Sequence, residues 1–149
     1  MITPKFFARE PGISPGFNKP DMRVITVAFY QRQMVRQDWD YPVDEDRLAE
    51  FFADLNADLN RFDIQVHYLY DNSVSIEIRG YGDLLNSIRI RSIEAGLGNV
   101  CLGHVIGASP GRDLIEDLRR GVNRTAFAPE TIEPEGSDKI VCHNCGCGC

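Results

Sequence analysis

No stretch of this chain approaches the roughly 18–20 consecutive apolar residues that span a bilayer, so a transmembrane helix is not expected. The start of the chain also lacks the apolar run of a signal peptide. Pro4, Arg9, Glu10, Pro11 and Pro15 stand in its place, which sets the expectation against secretion by that route and for a cytoplasmic location. Positive charge is in deficit: the formal net charge is −6, which argues against sequence-independent binding to nucleic-acid phosphates. With three histidines in the chain, a serine- or cysteine-based catalytic triad has few routes. Internal repeats and low-complexity tracts are absent. Cysteine is scarce until the end, where Cys101 is the one thiol before residue 142.

An apolar fraction of 43% over 149 residues is enough for one domain with a real core, and too little chain for two ordinary ones. Residues 1–21 read as an extended arm, because Pro4, Pro11, Pro15 and Pro20 remove donors and restrict their predecessors. Phe6, Phe7, Ile13 and Phe17 are interleaved there, so the arm is expected to pack on its own core or on a neighbouring subunit. The run Arg23 to Tyr30 is β-branched and aromatic and predicts a strand extending towards Met34. Trp39, Tyr41 and Pro42 read as a loop.

Asp44 to Asn60 predicts a helix: Leu48, Phe51, Phe52, Leu55 and Leu59 form one stripe, with Asp44 as N-cap. The acids Asp46, Glu50, Asp54 and Asp58 read as its solvated side. Residues 64–70 and 74–78 alternate in hydropathy around Asp71-Asn72-Ser73, which predicts a hairpin. A second helix is expected from Asp83 to Ala95, although Ile88-Arg89-Ile90-Arg91 alternates like a strand. Gly96 and Gly98 end it, Asn99 to Ile106 predicts a strand, and a helix follows from Pro110 to Arg120 with Ser109 as N-cap.

The order β-α-β-β-α-β is that of a ferredoxin-like α+β sandwich with an extended N-terminal arm and an irregular Cys-rich C-terminal tail. The expected organisation is an arm (1–21), an α+β domain (22–121), an acidic linker (122–141) and a Cys-rich tail (142–149). Such a fold hosts many unrelated functions and names none.

The chemistry-bearing segment is the tail Cys142-His143-Asn144-Cys145-Gly146-Cys147-Gly148-Cys149. Thiolates are soft-metal ligands and nucleophiles, and C-x-x-C is the usual two-ligand bite for zinc or an iron–sulfur cluster. The tighter C-x-C bites are eased by Gly146 and Gly148, which accept unusual backbone angles. The expected metal ligands are therefore Cys142, Cys145, Cys147 and Cys149, with His143 as a substitute, and the expected cofactor is zinc or an iron–sulfur cluster. A Cu(I) ion on two or three sulfurs, and a site shared between subunits, are further arrangements of the same ligands.

Val141, Cys142, Cys145 and Cys147 also resemble the V-C-x-x-C-x-C claw of nitrile hydratase and thiocyanate hydrolase α-type subunits. That resemblance covers seven residues and implies a low-spin iron or cobalt held by three thiolates and two backbone amides. The family's serine between the last two cysteines is Gly146 here, and its motif is internal to the chain.

Elsewhere the candidates read as structural. Cys101 is expected as a core thiol, facing away from His104 on one strand, and His67 as a surface or hydrogen-bonded histidine. The turn from Gly103 to Gly111 lacks the lysine of a P-loop. The residues together favour a non-enzymatic assembly or interaction protein whose arm and tail meet other subunits, identical or different. A copper or zinc carrier, a thiol-redox protein, and a metalloenzyme subunit with a nitrile-hydratase-like claw are the alternatives.

Overall fold

The structure, a computed structural model, describes residues 22–35, 44–107, 109 and 111–132. The arm, the Trp39–Pro42 loop and the Cys-rich tail lie outside the described residues. The α+β class is observed, as a four-stranded mixed sheet with four helices. The strands are β1 (Arg23–Met34), β2 (Ile64–Ile78), β3 (Ile88–Ser92) and β4 (Leu97–Cys101). The helices are α1 (Glu45–Asn60), α2 (Tyr81–Asn86), α3 (Leu102–Ile106) and α4 (Leu114–Phe127).

The sheet order is β2-β1-β3-β4, with β1 and β2 parallel and the remaining pairs antiparallel. A parallel pair needs a crossover connection, and α1 supplies it. A ferredoxin-like arrangement is not confirmed: that architecture has a four-stranded antiparallel sheet, and the β1/β2 pair here is parallel.

Helix α1 forms as its stripe demands. Asp44 caps it, its Oδ1 accepting from Arg47 N at 2.7 Å, and all five stripe residues are buried. They meet the odd-numbered face of β1 (Ile25, Val27, Phe29) and the even-numbered residues of β2. Phe29 stands edge-on to Phe52 and Tyr68 at centroid distances of 6.2 and 6.0 Å, and Phe52 stacks on Tyr68 at 4.5 Å. Each such pair adds about 0.5–1.5 kcal/mol beyond the area it buries.

The expected hairpin does not form. Asp71 does make the local turn, its Oδ1 accepting from Ser73 N at 3.1 Å and from Ser73 Oγ at 2.5 Å. The chain then resumes in its original direction, because both halves find β1 as partner: Tyr30 pairs with Asp71 and Gln31 with Ser75. Asn72, Ser73 and Val74 are a bulge inside one strand, not a reversal.

The second expected helix stops at Asn86, and Ile88–Ser92 forms β3 instead, as its alternation allows. Ile88 and Ile90 enter the core beneath α4, while Arg89 and Arg91 take the opposite face. The strand expected to run to Ile106 ends at Cys101. Cys101 becomes the N-cap of α3, its Sγ accepting from His104 N at 3.3 Å, so the two residues share a turn rather than opposite strand faces. The last helix starts later than expected, with Asp113 as N-cap, and continues past Gly121 to Phe127. Gly121 is where α3 meets α4: a Cβ there would collide with Leu102 Cδ1 and reach Ile90 Cδ1 at 3.2 Å. Gly96 has φ 78°, a left-handed conformation that closes the short turn Ile93–Ala95.

Candidate functional site

Strand periodicity puts Thr26, Ala28, Tyr30, His67, Asp71, Arg89 and Arg91 on the sheet face opposite α1 and α4. Asn99 joins them from β4. Tyr30, Asp71, Arg89, Arg91 and Asn99 form one hydrogen-bonded network. Asn99 Nδ2 donates to Tyr30 Oη at 3.0 Å, and Arg91 Nε donates to Asn99 Oδ1 at 3.0 Å. Arg91 Nη2 reaches Asp71 Oδ2 at 2.9 Å. In the register Asp71 lies opposite Tyr30 and Arg91 opposite Thr26, so this ion pair crosses β1 over Ala28, whose methyl group leaves clearance. At one side, Thr26 Oγ1 and His67 Nε2 share a hydrogen bond of 2.9 Å.

The Ser73 hydroxyl foremost, then the Arg91 guanidinium and the Ser73 amide, hold the Asp71 carboxyl down at about 2, below its ordinary value. A depressed folded-state value stabilises the fold above the unfolded-state value near 4 and is lost as pH falls through 2. Asp71→Asn is therefore expected to be on the order of 1 kcal/mol less stable than the wild type at pH 7. Chemical denaturation should show that gap closing between about pH 4 and pH 2. A gap independent of pH over that range would contradict the assignment.

Beneath it all, Arg89 is only 1% exposed. It donates to Asn86 O (3.1 Å), Asn86 Oδ1 (2.8 Å) and Asn99 O (3.4 Å), with its guanidinium 5.3 Å from the Tyr30 ring centre. No ion pair among the described residues involves it.

A second cluster gathers on Asp117 of α4, which is 3% exposed. Its carboxylate accepts from Tyr81 Oη at 2.5 Å, from Ser109 Oγ, and from Arg120 Nη1 at 3.0 Å. Ser109 Oγ in turn accepts from Arg112 N at 3.1 Å. Burial foremost, then the Asp117 carboxylate, pushes the Tyr81 hydroxyl above its ordinary value, so it remains a proton donor. Ser109, expected as an N-cap, instead ties the loop before α4 to that helix. Asp117 is held by α2, the loop and Arg120 together, which is the geometry of a clamp.

Two further features follow from where β3 leaves β1. The β1–β3 ladder ends at the Thr26–Arg91 pair, beyond which the chain turns through Ile93–Ala95 and pairs Ser92 with Leu97 of β4. This opens a cleft of about 270 Å³ lined by Thr26, Arg91, Ser92, Ile93 and Glu94 among others. At the far end of the core, Phe62 and Phe127 are each 52% exposed and meet edge to face at 5.1 Å.

Of the expected site residues, Cys142, His143, Cys145, Cys147 and Cys149 lie outside the described residues. Among the described residues no group of three His, Cys, Asp or Glu side chains is placed to hold a metal. Cys101 is buried at 1% exposure, as expected of a core thiol. His67 is exposed and hydrogen-bonded, and the acids of α1 are solvated. The arginine pair of β3 and the residues of the cleft were missed. The Ile-Arg-Ile-Arg alternation was the one signal for the former, and a single-sequence pattern carries none for the latter.

No helix among the described residues is long and apolar enough to cross a membrane. The chain matches no family model, no curated protein and no solved structure.

Proposed function

We propose that this chain is a non-enzymatic assembly protein. Its α+β domain is the scaffold, and its terminal cysteines hold a structural zinc ion or an iron–sulfur cluster. The arm and tail engage other subunits, and a reducing cytoplasmic setting keeps the thiols available as ligands. The observation that carries this reading is the spacing C-x-x-C-x-C-x-C over residues 142–149, with His143 within it. Three features support it. Cys101, the remaining thiol, is buried as a helix cap and is withdrawn from any ligand set. The polar clusters on Arg91 and Asp117 are each tied together by internal hydrogen bonds. The exposed Phe62–Phe127 pair is of the aromatic type enriched at protein contacts.

A full-length variant with Cys142, Cys145, Cys147 and Cys149 all changed to Ser tests the assembly role by light scattering. It should lose higher-order mass while its unfolding midpoint stays unchanged. Assembly equal to wild type in that variant would overturn the reading.

A further inference from the structure

The Phe62–Phe127 pair borders a groove of about 280 Å³ between the end of α1 and α4. Leu55 and Leu59, buried on the α1 stripe, line it together with the exposed Arg61 and Arg119. Each ring keeps 52% of its surface in solvent, so the two present roughly 200 Å² of apolar area. That is well short of the roughly 800 Å² per partner of a stable interface, so these rings alone do not pair two copies. A segment tethered to the domain needs far less area, because its effective concentration is already in the millimolar range.

The N-terminal arm joins the described domain at this groove. Met22 is exposed, and Arg23 is the first residue of β1. The Arg23 amide donates to Asp63 O at 3.0 Å, and its guanidinium donates through Nη2 to Ala126 O. Asp63 follows Phe62 and Ala126 precedes Phe127, so the chain leaves the domain beside both rings. Five residues before Met22 stands Phe17, in a proline-restricted run that also carries Ile13. Five extended residues reach about 17 Å, more than the roughly 10 Å that the groove runs along α1 from Phe62 to Leu55. Pro11, Pro15 and Pro20 lower the entropy lost when such a segment is fixed, and proline-rich segments suit aromatic-lined grooves. The other segments outside the described residues fit less well. Residues 133–149 hold no aromatic side chain, and Trp39 and Tyr41 belong to the connection at the opposite end of β1 and α1.

We infer that residues 13–17 of the arm dock in this groove on their own domain, with the Phe17 ring against Phe62 and Phe127. The aromatic pair then serves assembly by fixing the arm, which leaves Phe6 and Phe7 to meet another subunit. The inference goes beyond the assembly reading and does not depend on the tail cysteines.

The test uses the full-length protein, isotopically labelled. Nuclear Overhauser contacts should join the Phe17 ring to the Phe62 and Phe127 rings and to the Leu59 methyl groups. In an equal mixture of labelled and unlabelled chains, those contacts should stay within one chain. Contacts found between chains alone would assign the groove to a second copy and overturn the inference. Phe17→Ser should shift the amides of Phe62, Asn123 and Phe127 while those of β3 and β4 stay in place. A synthetic peptide of residues 11–19, titrated into that variant, should give saturable shifts at the groove at millimolar concentration. It should bind the wild type about tenfold more weakly, because the tethered arm competes. The inference is also overturned if Phe17 touches none of these residues, if the peptide binds wild type and variant equally, or if it leaves the variant unshifted up to about 10 mM.

Discussion

Replacing Arg89 with alanine should destabilise the fold by about 3–5 kcal/mol in urea unfolding. The side chain is fully buried on β3, so its removal opens a void among Ala28, Tyr30 and Cys101, whose strands leave little room to collapse. It also takes the donor away from Asn86 O, Asn86 Oδ1 and Asn99 O, each worth about 1 kcal/mol or more when buried. One effect opposes these. Arg89 is a buried cation with no carboxylate in its reach among the described ion pairs, so removing its charge relieves a desolvation cost. Arg89→Met separates the two contributions. It restores most of the packing without the donors and should cost about half as much as Arg89→Ala. A loss under about 1 kcal/mol for Arg89→Ala would mean the guanidinium does not hold β3 to β4 as described.

Asp117→Ala should cost about 2–4 kcal/mol, with a local signature that Arg89→Ala lacks. The carboxylate is the acceptor for Tyr81, Ser109 and Arg120, which come from three different segments. Arg120 is 42% exposed and returns to water when its partner goes, so its share of the loss is small. The larger share is the half-buried Tyr81 hydroxyl left without an acceptor, together with the loop freed at Ser109. Hydrogen exchange should therefore speed at Arg112, whose amide bonds Ser109 Oγ, before it speeds in β1. Uniform acceleration in both places would argue that Asp117 is merely one core contact among many. Asp117→Asn keeps the shape but turns an amide towards Arg120, and should fall between the wild type and Asp117→Ala.

The parts of the fold legible in sequence were those decided by local chemistry. Helix α1 announced itself because its apolar stripe, its N-cap and its acid face all agree within 17 residues, Asp44 to Asn60. β1 did so through an unbroken β-branched and aromatic run. What failed was decided by partners. Asp71-Asn72-Ser73 makes the turn its side chains favour, but whether the chain then reverses depends on β1 offering a parallel edge to both halves. Ile88–Arg91 fits either period, and burial of Arg89 against Tyr30 selects the strand. Cys101 and His104 looked like strand neighbours, because nothing local marks the point where β4 hands over to α3. The cleft at Ser92 and Glu94 arises from where one ladder ends, a property of the assembled sheet. The cysteine tail is the reverse case: its spacing is plain in the sequence and lies outside the described residues.

The most direct measurement of the central claim is the metal content of the full-length protein purified without chelator, paired with alkylation of its native thiols. The account predicts about one equivalent of zinc, or the iron and absorbance of a cluster, per chain. Cys142, Cys145, Cys147 and Cys149 should resist alkylation until a chelator is added, and the metal should disappear in the fourfold Cys→Ser variant. A metal-free protein whose four terminal thiols alkylate at once, with no disulfide among them, would contradict it.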